Sequence, residues 1–241
     1  MPKCLNDPKK SYKGTEPSPK GLGYCAGEMN VLEKKMGRDG NMWIVKKVKN
    51  ITKEKVGHSG TLDPFADGVL VLGVGKSTKK LSNIIQFDKT YEGIIKLGEK
   101  TDSMDLTGNV VEEKEVCEFS EQSLIDCEKK FIGELLQRTP MYSARKINGV
   151  RLYKLARKNI EIKTNPKLIT INSLKIDSLD ENTLKIIVDC SSGTYIRVLA
   201  EDIAEYLGTV GHLISLTRLS VGEYRLDESV TIEKFEDKWK S

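Results

Sequence analysis

V-G-H-S-G-T-L-D-P-F-A-D-G-V-L-V-L-G-V-G-K-S-T-K-K, from Val56 to Lys80, decides how this chain is read. Gly57 and Gly60 permit backbone angles closed to other residues, so a tight, exposed loop is expected before Asp63. Pro64 fixes the backbone after Asp63 and biases Asp63 away from helix. The run Val69 to Val74 is short, rich in β-branched residues and bounded by Gly68 and Gly75, which predicts a buried strand or a short helix. Polar groups are thus carried on a rigid base, and loops of that kind are where chemistry tends to sit.

Two readings of the stretch need nothing else in the chain. In the first, Asp63-Pro64 and Asp67-Gly68 are ordinary turn residues. In the second, Gly73 to Thr78 is a phosphate-binding loop, but that motif needs a glycine where Leu70 stands. No acidic magnesium ligand at the end of a later strand supports it either.

The chain has 241 residues, enough for one sizeable domain with a real core. Hydrophobic residues make up 38% and charged residues 31%, a soluble globular profile without a membrane-spanning apolar run. A net charge of +4 permits a nucleic-acid partner without demanding one, so the placement of positive charge matters more. Five scattered cysteines, with no C-x-x-C pair, argue for a reducing compartment and against a disulfide framework or zinc site. His58 and His212 are the only histidines, too few for a histidine metal cluster. The start lacks the apolar core of a signal peptide.

Residues 1–40 hold four of the seven prolines, six glycines, and eight Lys/Arg against five Asp/Glu, which predicts a basic, flexible extension. Ile44, Val45 and Val48 then suit one face of a helix within Trp43–Lys49. From Lys89 to Gly98, Tyr91, Gly93, Ile95 and Leu97 alternate with Glu92, Ile94 and Lys96 as in a strand. Ser120 is placed to cap a helix with Leu124, Ile125 and Phe131 inward. Leu184–Cys190 reads as a strand, Ser191–Gly193 as a turn, and Thr194 as the cap of a helix running to Gly208. That helix carries an apolar stripe of Ile196, Leu199, Ala200, Ile203 and Leu207. Arg197 falls in its first turn, where the helix dipole gives a cation no help, so a structural ion pair is one expectation there.

Between Arg145 and Lys158 stand six Lys/Arg and no acid, with Tyr142 and Tyr153 nearby. Exposed helices usually alternate sign. Unbalanced basic charge interleaved with aromatics is the pattern that tracks a phosphate backbone and stacks on unpaired bases.

The stretch Gly57–Lys79 resembles the active-site motif of the TruB family of pseudouridine synthases, which isomerise the T-loop uridine of tRNA. Further segments are similar in the family's order: K-T-Y (89–91), T-D-S-M-D-L-T-G (101–108), P-M-Y-S-A-R-K-I-N-G-V-R-L-Y-K-L-A-R (140–157), C-S-S-G-T-Y-I-R (190–197) and T-R-L (217–219). The likeness covers about residues 43–235. It departs at the start, where Gly40-Asn41 replace the family's Thr-Ser and no Lys-Pro precedes them. It also leads us to expect no C-terminal RNA-binding PUA domain.

The resemblance implies a mixed α/β fold: a largely antiparallel, bent sheet flanked by helices, forming a catalytic domain over 41–241 after the 1–40 extension. It implies a catalytic set of Asp63, Tyr91 and Arg197, with Tyr91 stacking on the target base and Arg197 pairing with the aspartate. His58 would fill the gap left by a flipped uridine. Arg145, Lys146 and Arg151 would grip RNA on a mobile segment within 138–158. Lys89, Tyr195, Arg218 and Leu219 complete the expected RNA-binding set. The reaction breaks the N1–C1′ bond, turns the base and rejoins it through C5, so no cofactor and no metal are implied. Hydrolytic glycosidases generally use two carboxylates. Here the base stays bound and reacts again, so one can suffice. The expected partner is the tRNA T-arm, with no membrane, the chain acting as a cytoplasmic monomer. A non-catalytic RNA-binding or tRNA-folding protein is the alternative, and a guide-RNA-dependent subunit a third.

Overall fold

Alternation explains why the apolar run before Gly75 ends in a strand and not in a helix. In the computed structural model, Leu70, Leu72 and Val74 pack with Ile44, Val48, Ile232 and Phe235, while Val69 and Val71 pack with Ile84, Val221 and Leu226. Side chains that serve two clusters in turn require a period of two. Each such Val or Leu contributes about 1.5–3 kcal/mol when fully buried. The structure describes residues 40–240 apart from 144, 148, 157–159, 161 and 163, with backbone alone at 41–43, 146, 151, 154 and 240. The extension expected over 1–40 therefore lies outside the described residues, save Gly40.

The described residues pack as two units, one of residues up to 87 together with those from 218 on, and one within 88–217. In the first, helix α1 (Gly40–Thr52) buries Ile44, Val45 and Val48, the face its spacing predicts. It stops where Thr52 Oγ1 donates back to the Val48 carbonyl and Lys53 turns left-handed. Strand β1 (Val56–His58) pairs antiparallel with β3 (Leu72–Val74), in register His58 to Leu72. Between them runs the Asp63 loop with the short strand β2 (Asp67–Gly68). A 3-10 turn (Gly75–Lys80) and helix α2 (Leu81–Ile84) follow. Helix α6 (Ile232–Lys240) returns to α1, with Lys47 Nζ 3.4 Å from Glu233 Oε1.

The second unit is built on strands in the order β12 (Gly211–Val221, its last residues in the first unit), β4 (Lys89–Leu97), β11 (Thr183–Cys190), β10 (Lys167–Asp180) and β7 (Gly133–Gln137). The pairs β4–β11, β11–β10 and β10–β7 are antiparallel. Strand β4 alternates buried and half-buried residues along its length, with Tyr91, Gly93, Ile95 and Leu97 inward. Helix α3 (Glu121–Phe131) lies against β10, where Glu128 Oε1 accepts the Ile176 N–H at 2.7 Å. Its N-cap is Ser120, as expected, accepting the Ser123 N–H at 3.1 Å. Helix α5 (Ile196–Tyr206) lies against β4 and buries Ile196, Leu199, Ala200 and Ile203. The mixed α/β class with a largely antiparallel sheet and flanking helices is what the structure shows. Smaller pieces complete the unit: β5 (Glu99–Thr101) with β6 (Val110–Glu113), β8 (Lys146–Ile147) with β9 (Val150–Arg151), and α4 (Leu152–Ala156). Among the described residues no helix is long and apolar enough to cross a membrane.

Candidate active site

Asp63 sits on a turn anchored from both sides. Leu62 and Ala66 are buried, Asp63 is half-buried, and the Asp63 carbonyl accepts the Ala66 N–H at 2.9 Å across Pro64-Phe65. The loop's two ends are joined by one side chain. Arg218 is 1% exposed; its Nε donates to the Val69 carbonyl at 2.7 Å and its Nη2 to the Gly60 carbonyl at 3.3 Å. The Val69 N–H returns to the Arg218 carbonyl at 2.9 Å. Gly68, at φ +103°, passes so close to the Arg218 backbone that a Cβ there would overlap it. Arg218, expected among the RNA-contacting residues, thus lies in the interior and ties the loop together; Leu219 beside it is half-buried. The expected exposed loop at Gly57–Gly60 is corrected too. Gly57 and His58 belong to β1, His58 is half-buried, and Ser59 is fully buried with its N–H on the Val71 carbonyl. Gly57 serves a strand packed under Leu81, where a Cβ would crowd the leucine, and Gly60 turns at φ +120° beside Arg218.

In the second unit, Tyr91 and Lys89 are 9% and 6% exposed on β4, paired to Val188 and Cys190 of β11. Arg197 is 3% exposed in the first turn of α5. Among its partners are the Ser103 and Tyr142 carbonyls, each at 2.7 Å, and Asp105 Oδ2 at 3.5 Å. Asp105 is itself buried, and its Oδ1 accepts Ser103 Oγ, the Thr107 N–H and Thr107 Oγ1 at 2.8, 2.9 and 2.5 Å. A buried charge is tolerated when paired and hydrogen-bonded in this way. A structural ion pair of Arg197 is therefore present, and one of its partners is Asp105, an aspartate the sequence did not single out. The segment Thr101–Gly108 stood out only as a likeness, because nothing local marks Asp105 as buried.

The helix begins one residue later than expected. Its N-cap is Tyr195, whose side chain makes no cap hydrogen bond, and Thr194 Oγ1 turns back to the Ser191 carbonyl. Gln137 takes over the capping of the chain here: its Oε1 accepts the Tyr195 N–H at 2.7 Å and its Nε2 donates to the Tyr195 carbonyl at 3.0 Å. The helix stops before Gly208, which is left-handed, with Gly208 N–H on Glu205 O and Thr209 N–H on Ala204 O. One turn after Arg197, buried Glu201 pairs with Lys100 Nζ and Arg138 Nη2, both at 2.5 Å. That hydrogen bond raises the Lys100 pKa, against a smaller opposing effect of burial.

The basic segment is a β8–β9 hairpin leading into α4, in register Lys146 to Arg151. It is seated by Leu152, fully buried, and by the Ser143 carbonyl accepting the Tyr153 N–H. Arg145 is exposed and donates to Thr139 Oγ1 at 2.6 Å. The side chains of Lys146 and Arg151 lie outside the described residues. Burial pushes the thiols of Cys127 and Cys190 up to about 12, which makes both inert as nucleophiles. Among the described residues no group of three or more His, Cys, Asp or Glu is arranged to hold a metal.

This architecture recurs among solved structures. It aligns with a chain of the "Crystal Structure of a Cbf5-Nop10-Gar1 Complex" at a TM-score of 0.63 and 26% identity, over 83% of this chain and 52% of that one. The sequence profile described as TruB family pseudouridylate synthase (N terminal domain) matches residues 46–196, and that of the tRNA pseudouridylate synthase B C-terminal domain matches 197–241. The chain belongs to the TruB family of pseudouridylate synthases. Proteins named tRNA pseudouridine synthase B are 41% identical in Psychrobacter arcticus, over 80% of this chain and 52% of that protein. The one in Bordetella pertussis is 40% identical, over 84% of each. The chain spans about half the length of its Psychrobacter relatives.

Proposed function

We propose that this chain converts uridine to pseudouridine in tRNA, at the T-loop uridine, with Asp63 as the essential carboxylate. The observation that carries the reading is the Asp63 turn, held at both ends by buried Arg218 in a chain of this family. A reacting carboxylate gains from such a mount, because small displacements of a catalytic group are costly in rate. The uridine leaves the RNA stack to be reached. Asp63 acts as nucleophile or base on the ribose–uracil unit, and Tyr91 stacks on the flipped base. Arg197 supplies the positive charge that an ionised carboxylate requires where water is excluded. His58 fills the vacated place in the RNA, and the segment around Arg145, Lys146 and Arg151 follows the phosphate backbone, with Lys89, Tyr195 and Leu219 completing the RNA side.

The test is pseudouridine formation on a T-arm stem-loop and on full-length tRNA, wild type beside Asp63→Asn. Conversion by the wild type alone is expected, with RNA affinity of the variant within a few-fold. If neither protein converts either RNA while both bind, the chain is an RNA-binding module and the reading fails.

A further inference from the structure

Helix α5 presents two buried charges one turn apart on one face, Arg197 and Glu201. Each reaches the same two stretches of chain. Arg197 bonds the Ser103 carbonyl and Asp105 on one side and the Tyr142 carbonyl on the other. Glu201 pairs with Lys100, three residues before Ser103, and with Arg138, four residues before Tyr142. The second stretch is fastened again by Gln137, bonded to both backbone groups of Tyr195. Two of the guanidinium's contacts are backbone carbonyls, so where Arg197 points depends on where those two stretches lie. Among the described residues, Glu201, 1% exposed, is the acid that binds both of them to the helix carrying Arg197.

We propose that Glu201 is a positioning residue: through Lys100 and Arg138 it fixes the two segments that Arg197 bonds, and so holds Arg197 in a single orientation. The consequence for catalysis rests on the role given to Arg197 above; the tether itself does not. Loss of Glu201 takes from Arg138 the carboxylate it pairs with and leaves Lys100 with the more distant Glu205, 4.0 Å away. Loss of Glu201 therefore loosens both segments together, and not α5 alone.

The experiment pairs hydrogen-exchange mass spectrometry with single-turnover kinetics on tRNA, for the wild type, Glu201→Gln, Lys100→Gln and Lys100→Arg. Glu201→Gln is expected to speed exchange in both 100–108 and 138–143. It should lower the single-turnover rate by about tenfold or more while RNA affinity changes by less than about threefold. Lys100→Gln repeats the pattern more weakly and carries the test if Glu201→Gln does not fold. Lys100→Arg, which keeps a cation on Glu201, restores most of the rate. Unchanged exchange in the two segments overturns the proposal. So does a loss of rate and affinity in parallel with thermal stability, which marks a merely structural acid. A wild type that converts no uridine sinks the proposed function, and the exchange data then decide on the tether alone.

Discussion

At Gly68 the backbone runs against the Arg218 backbone at a φ of +103°, whereas Gly133, at φ +105°, has nothing within 4 Å of its missing Cβ. The two positions separate strain from collision. Gly133→Ala carries the strain alone, about 1–3 kcal/mol. Gly68→Ala adds an overlap of backbone with backbone that no rotamer relieves, so it is expected to lower the urea midpoint further or prevent folding. Arg218→Met removes the donors to Gly60 O and Val69 O, leaving two loop carbonyls to find new partners. A loss of about 2–4 kcal/mol in urea unfolding is expected, together with a lower rate, because the Asp63 turn is no longer held at both ends. A fully stable, fully active Arg218→Met would show that the turn holds itself. Tyr91→Phe keeps the ring for stacking, and Tyr91→Ala loses it; kinetics in which all three forms match would remove Tyr91 from the site.

Helix α5 carries the electrostatics at the next scale. Burial pushes the Asp202 carboxyl up to about 6 from 3.8, helped by Glu205 and Glu201 and opposed by Arg138. The folded protein thus holds the Asp202 proton more tightly than the unfolded chain does. Its contribution to stability is complete below pH 3.8 and is lost as pH rises through about 6. Asp202→Asn should flatten the decline in stability over that window and leave the variant more stable than the wild type at neutral pH. Urea unfolding across the range checks this, and an unchanged slope contradicts it. Helix α3 offers a simpler case. Ser120→Ala removes the acceptor for the Ser123 N–H and should cost about 1 kcal/mol without touching activity.

For the molecule as a whole, the proposed RNA binding is a matter of where a small surplus of charge is placed. The net charge is only +4, yet six Lys/Arg and no acid fall between Arg145 and Lys158. Each phosphate neutralised contributes about 0.7–0.9 to the slope of log affinity against log salt. Neutralising Arg145, Lys146 and Arg151 together should therefore weaken tRNA binding and lower that slope by about 2. The same affinity with the same slope would make the segment a solvated surface.

The sequence by itself determined what depends on local pattern. The alternation of β4, the strand at β11, the stripes of α1 and α5 and the Ser120 cap follow from periodicity and end signals within a few residues. Periodicity reports which face turns inward, not what it meets there. Only the tertiary structure decided the partners of the buried charges: Arg197 with Asp105, Glu201 with Lys100 and Arg138, and Arg218 with the carbonyls that close the Asp63 loop. The Gly60–Arg218 bond spans 158 positions, and a cation in a strand reads as surface until the fold encloses it. Thr194 and Tyr195 show the same at short range. The local pattern favours threonine as the cap, but Gln137, 58 positions away, holds the Tyr195 backbone and sets where the helix starts.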